Sequence, residues 1–177
     1  MSRQAVSTTV LVVLVVLAFW GMRAGWRGRT RRSTALAAGL PVAPADLGTP
    51  RLGLLDATYV STTRAGDWLD RVTAGGLGVR SPAQVGVFDA GVLIARQGAP
   101  DLFVPAAALR GAVGAPGMAG KVVGGEGLVV LTWQPDPEDP RGLDTGLRPK
   151  LAADRERLID ALTTLTTGQA PAQEENS

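Results

Sequence analysis

The 177-residue chain has no histidine and no cysteine, only one tyrosine, and just 5 % aromatic residues. These absences exclude much of side-chain chemistry before any pattern is read. Zinc and copper centres, iron–sulfur clusters, thiol nucleophiles, disulfides and every histidine-based triad need residues that are not present. A lipoprotein anchor is excluded with them, because it requires an acylated cysteine. The missing cysteine does not fix the compartment, since neither a reducing nor an oxidising space demands one.

Charge is present but unevenly placed. The formal net charge is +2, yet residues 1–45 hold six arginines (Arg3, Arg23, Arg27, Arg29, Arg31, Arg32) and no acid. From Asp46 onward there are 12 basic and 16 acidic side chains, so the rest of the chain is mildly acidic. A nucleic-acid domain clusters Lys and Arg on a folded face among aromatics, and no such face is visible; no nucleic-acid partner is expected.

The longest apolar run lies between Arg3 and Arg23, where 19 consecutive residues carry no charge and ten are Val, Leu or Phe. As a helix this run reaches about 28 Å, close to the thickness of a bilayer's hydrocarbon core. In lipid the backbone must bond internally, so the β-branched valines do not prevent a helix. Phe19, Trp20 and Trp26 fall where an interfacial aromatic belt sits. A cleaved signal peptide is the rival. The first good small-residue cleavage site, Ala35-Leu36-Ala37, lies well past the apolar core and beyond five arginines, which disfavours it. A transmembrane helix over 5–22 is therefore expected, with residues 1–4 outside. Arg23, Arg27, Arg29, Arg31 and Arg32 act as a stop signal that keeps the C-terminal part in the cytoplasm of an inner (plasma) membrane protein. The lipid bilayer is thus the first expected partner. Residues 23–49 combine that stop segment with an Ala/Gly/Pro linker, in which Pro41 and Pro44 discourage regular structure.

From Leu52 to Gln134 short apolar or alternating runs are separated by Gly and Pro, the texture of a small antiparallel β fold. Leu54–Arg64 is the first expected strand. Asp67–Val72 reads as a short helix capped by Asp67, or as a short strand. Val85–Phe88 and Val92–Ala95 form a hairpin with Gly91 at the turn. Asp101–Pro105, the segment AALRGAVG, Gly127–Trp133 and the segment LDTGLRP supply further strands. At the end, Leu151, Leu158, Leu162 and Leu165 fall on one face at helical spacing, with Gly168 as the stop. Strands followed by one amphipathic helix make an α+β plan in which the helix covers an open side of a bent sheet.

Several of these segments, GDWLDRV, GLGVR, APDLFVPAAALRG, AGKVV, LVVLTW and LDTGLRP, resemble an actinobacterial family of single-pass membrane proteins. Its members join one N-terminal transmembrane helix to a bacterial pleckstrin-homology (PH)-like domain. The resemblance covers Leu52–Leu165. It implies a bent antiparallel barrel over residues 50–167 closed by a C-terminal capping helix, with 168–177 as a polar tail. Lipid-binding relatives of that fold gather basic side chains around the first hairpin loop. Here the corresponding stretch offers Arg64 and Arg71 with Asp67 and Asp70 beside them, which argues against an inositol-phosphate site.

Other motifs give way to plainer readings. APGMAGKV lacks the first Gly and the final Ser/Thr of a phosphate loop, so it reads as a glycine-rich turn. Asp136, Glu138 and Asp139 alternate with prolines and read as a solvated turn, not a calcium loop. Asp67 and Asp70 have simpler roles as cap and arginine neighbour than as an acid–base pair. Trp68 and Trp133 read as core residues; an exposed Trp68 near Arg64 and Arg71 would instead make a binding surface. The expectation is a membrane-anchored, non-catalytic scaffold, without cofactor or metal, that binds a cytoplasmic or membrane protein and is free to form homo-oligomers. A membrane-tethered small-ligand binder or an enzyme built on Asp, Arg and Lys is the alternative.

Overall fold

The computed structural model describes residues 12–22, 39–118, 121–122 and 127–168. Residues 12–22 are helical (α1) and exposed, and they coincide with the C-terminal part of the span expected over 5–22. Among the described residues no helix is long and apolar enough to cross a membrane. The rest of that span, Trp26 and the five arginines from Arg23 to Arg32 lie outside the described residues.

The spine of the fold is β1 (Pro50–Arg64), 15 residues long. Its first part pairs antiparallel with β3 (Ser81–Phe88), and its second part pairs with β10 (Leu143–Pro149). Proline is tolerated as its first residue because no ladder donor is lost there. Between Tyr59 and Ser61 the register shifts by one. Such a bulge bends the strand and reverses which side chains face inward. Thr62, not Ser61, therefore shares the inner face with Tyr59, and their hydroxyl oxygens lie 2.6 Å apart.

The main sheet runs β5 (Leu102–Pro105), β4 (Gly91–Arg96), β3, β1, β10, β9 (Leu128–Trp133), β6 (Leu109–Ala115). The short β2 (Asp67–Arg71) pairs with β1 alone. A two-residue pair, β7 (Gly117–Met118) with β8 (Lys121–Val122), lies between β6 and β9 in sequence. β5 and β6 stand at opposite ends of the sheet yet are consecutive in the chain, joined by the tight turn Ala106–Ala108. Four residue steps span at most about 14 Å, so the sheet must curl until its two edges nearly meet. The connector is tied to both sides: Ala106 N donates to Ala90 O at 2.9 Å, and Gln134 N donates to Ala108 O at 2.8 Å. Gly91 permits the closure. Its φ is 150°, and a Cβ there would stand 2.2 Å from Val104 O.

α2 (Ala152–Thr167) packs over the remaining opening, chiefly against β6. Leu158, Leu162 and Leu165 point into a core shared with Tyr59, Ile94 and Trp133. Leu151 departs from the expected apolar face. It is the extended N-cap residue and stays 64 % exposed.

Candidate binding surface

The chain turns back from β1 to β2 through Ala65 and Gly66, with Arg64 opposite Asp67. Gly66 takes φ 76°, the left-handed position such a turn needs. Its N–H donates to Asp144 Oδ2 at 3.1 Å, and Ala65 N–H donates to Gly142 O at 3.2 Å. The next paired residues are Thr63 and Arg71, so Trp68, Leu69 and Asp70 bulge out of register. Asp67 Oδ1 fixes that bulge by accepting the N–H groups of Leu69 at 3.1 Å and Asp70 at 3.2 Å. Asp67 thus keeps a capping role although no helix follows; of the two readings of this segment, the short strand holds.

The bulge corrects the placement of Trp68 in the core. Trp68 is 47 % exposed and its neighbour Leu69 81 %. Trp133, the other tryptophan read as core, is fully buried. Arg71 is exposed at the end of β2. Arg64 is half-buried and forms an ion pair with Asp139, not with the carboxylates of Asp67 or Asp70.

That ion pair brings the β9–β10 loop, residues 134–142, against the hairpin. The loop is itself a built turn. Asp136 Oδ1 accepts Glu138 N–H at 2.9 Å, Asp139 Oδ1 accepts Arg141 N–H at 3.1 Å, and Gln134 Nε2 donates to Asp139 O at 2.7 Å. Burial raises the pKa of Asp139. The Arg141 N–H, the Arg64 hydrogen bond and the charges of both arginines outweigh it and hold the carboxyl below its ordinary value.

Behind the hairpin lies a buried polar relay that the sequence did not disclose. Trp133 Nε1 donates to Thr145 Oγ1 at 3.0 Å, Thr145 Oγ1 meets Thr62 Oγ1 at 2.8 Å, and Thr62 meets Tyr59. Tyr59 OH also reaches Leu77 O at 2.8 Å. Arg96 lies over the Tyr59 ring, 3.9 Å from its centroid. Its Nη2 donates to Gly76 O at 2.9 Å and Val79 O at 2.7 Å, pinning the segment between β2 and β3. Burial draws the pKa of Arg96 down, opposed by Tyr59 and Asp101. The one available signal was a lone tyrosine within a Thr-rich strand, because a buried phenol needs a partner.

A cleft of about 660 Å³ opens between β1 and the start of α2. Its charges are already matched: Lys150 Nζ is 3.0 Å from Asp56 Oδ2, and Arg157 Nη1 is 3.0 Å from Asp154 Oδ1. The hydrogen bond from Lys150 holds Asp56 below its usual range. Lys121 and Val122, in the would-be phosphate loop, belong to β8, and Gly124 and Gly125 lie outside the described residues.

A curled antiparallel sheet closed by one C-terminal helix, with an exposed first hairpin, defines the class of PH-like domains. The chain belongs to the bacterial PH domain-like family, whose sequence profile matches residues 37–163. The match begins after the apolar run and the arginine cluster. No curated protein matches the chain.

Proposed function

We propose that this chain is a single-pass membrane protein that presents a non-catalytic PH-like binding domain to the cytoplasm, with a protein as its ligand. The observation that carries the binding role is the pair Trp68 and Leu69, 47 % and 81 % exposed, held out by the Asp67 turn. Apolar side chains presented to water by a defined turn mark a contact surface. The anchor rests on the 19 uncharged residues between Arg3 and Arg23, and the orientation on the five arginines that follow. Tyr59, Ile94, Leu131 and Trp133 fill the barrel, which favours a surface ligand over an enclosed one.

The test is a fusion of the full chain to a C-terminal reporter that is active only in the cytoplasm. Reporter activity in a membrane fraction that survives alkaline washing is expected; an exported or released reporter overturns the proposal. Trp68→Ser with Leu69→Ser should leave stability within about 0.5 kcal/mol of the parent, yet lose the bound partner.

A further inference from the structure

We propose that the β1–β2 tip and the β9–β10 loop form one docking face for a cationic protein segment, in which lysine or arginine side chains surround an apolar socket for Trp68 and Leu69. The inference rests on the binding role proposed above and adds the chemistry of the partner. The two loops act as one face because two contacts join them, the Arg64–Asp139 ion pair and Ala65 N–H to Gly142 O, while Gly66 N–H to Asp144 ties the turn to the start of β10. This face carries Asp67 and Asp70 on β2, flanking the exposed apolar pair in sequence, and Asp136 and Glu138 on the β9–β10 loop. Asp67 and Asp136 accept backbone N–H groups, which orient their carboxylates without cancelling the charge.

The nearby guanidinium groups offset this charge only in part. Arg64 is committed to Asp139, Arg141 acts on the same carboxylate, Arg110 is bonded to Gln134, and Arg71 at the end of β2 sets one positive charge against the four carboxylates. An apolar anchor in acidic surroundings is repelled by anionic headgroups and attracted to a cationic protein surface. The acidic rim therefore selects a basic partner over the bilayer beneath the domain.

The experiment places a photo-reactive amino acid at Leu69 in the full chain, within the membranes of the producing cell. Cross-linked products are then identified by mass spectrometry. The expected products are protein segments with lysine or arginine flanking apolar residues. Asp67→Asn, Asp70→Lys and Glu138→Lys together should lower the yield about tenfold. Asn at position 67 keeps an acceptor for the turn. The unsubstituted chain should lose yield similarly as salt is raised, a readout that does not depend on the variant folding. Protein cross-links insensitive to charge and salt, or to acidic segments, overturn the cationic partner and leave the binding role standing. Cross-links to lipid alone, or none, overturn both.

Discussion

Tyr59 shows how one side chain couples the core to pH. Burial pushes its pKa up to about 12, against the opposing influence of the Thr62 hydrogen bond and the Arg96 charge. An unfolded tyrosine titrates near pH 10, so the folded state keeps the proton through the interval above that. The sign follows from linkage: this stability is fully present below about pH 10 and is lost as pH rises toward the folded value. Tyr59→Phe should cost about 1–3 kcal/mol at neutral pH, since Thr62 and Leu77 O lose a partner. It should also flatten the alkaline fall. Urea unfolding from neutral pH upward measures both, and parallel losses in parent and variant above about pH 10 would refute the assignment. Arg96 belongs to the same scale. Nothing in its sequence surroundings marks it as the cation that would be folded over a ring and onto carbonyls.

At the scale of elements, the β3–β4 hairpin was legible because Asp-Ala-Gly separates two apolar runs. The need for glycine at 91 was visible only in part. The turn asks for it locally, but the 2.2 Å approach of Val104 O comes from β5, a separate strand. Gly91→Ala should therefore destabilise by more than about 2 kcal/mol. Gly53→Ala, where nothing lies within 4 Å of the added carbon, should stay within about 0.5 kcal/mol of the parent. Thermal melts of the pair separate close packing from a general intolerance of alanine in strands. β1 runs four residues earlier than its sequence reading because Pro50, a poor strand residue, and Leu52 pair with Phe88 and Val87 of β3. β2 was ambiguous for a different reason: the Asp67 side chain caps N–H groups in either conformation.

On the scale of the whole molecule, helix and barrel share one core, so they should unfold together. Leu162, fully buried on α2, contacts the cluster that holds Tyr59, Leu131 and Trp133. Leu162→Ala should cost about 2–5 kcal/mol. Far-UV and near-UV circular dichroism should lose their signals in one coincident transition. A helix that melts first would mean that α2 is an appendage and not the closing wall of the barrel.

Local signals in the sequence determined the charge asymmetry, the chemistry excluded by the absence of histidine and cysteine, most strands, and the burial of Leu158, Leu162 and Leu165. Each rests on composition or on periodicity within one element, and such patterns survive without knowledge of neighbours. Tertiary structure decided the rest, because those features come from residues far apart in the chain. It joined Arg64 to Asp139 across 75 positions, stacked Arg96 on Tyr59, and curled the sheet until β5 and β6 nearly met. It also turned Trp68 outward. An apolar residue on a five-residue strand can face either way, and only the register slip between Thr63 and Arg64, fixed by one carboxylate oxygen, set the direction.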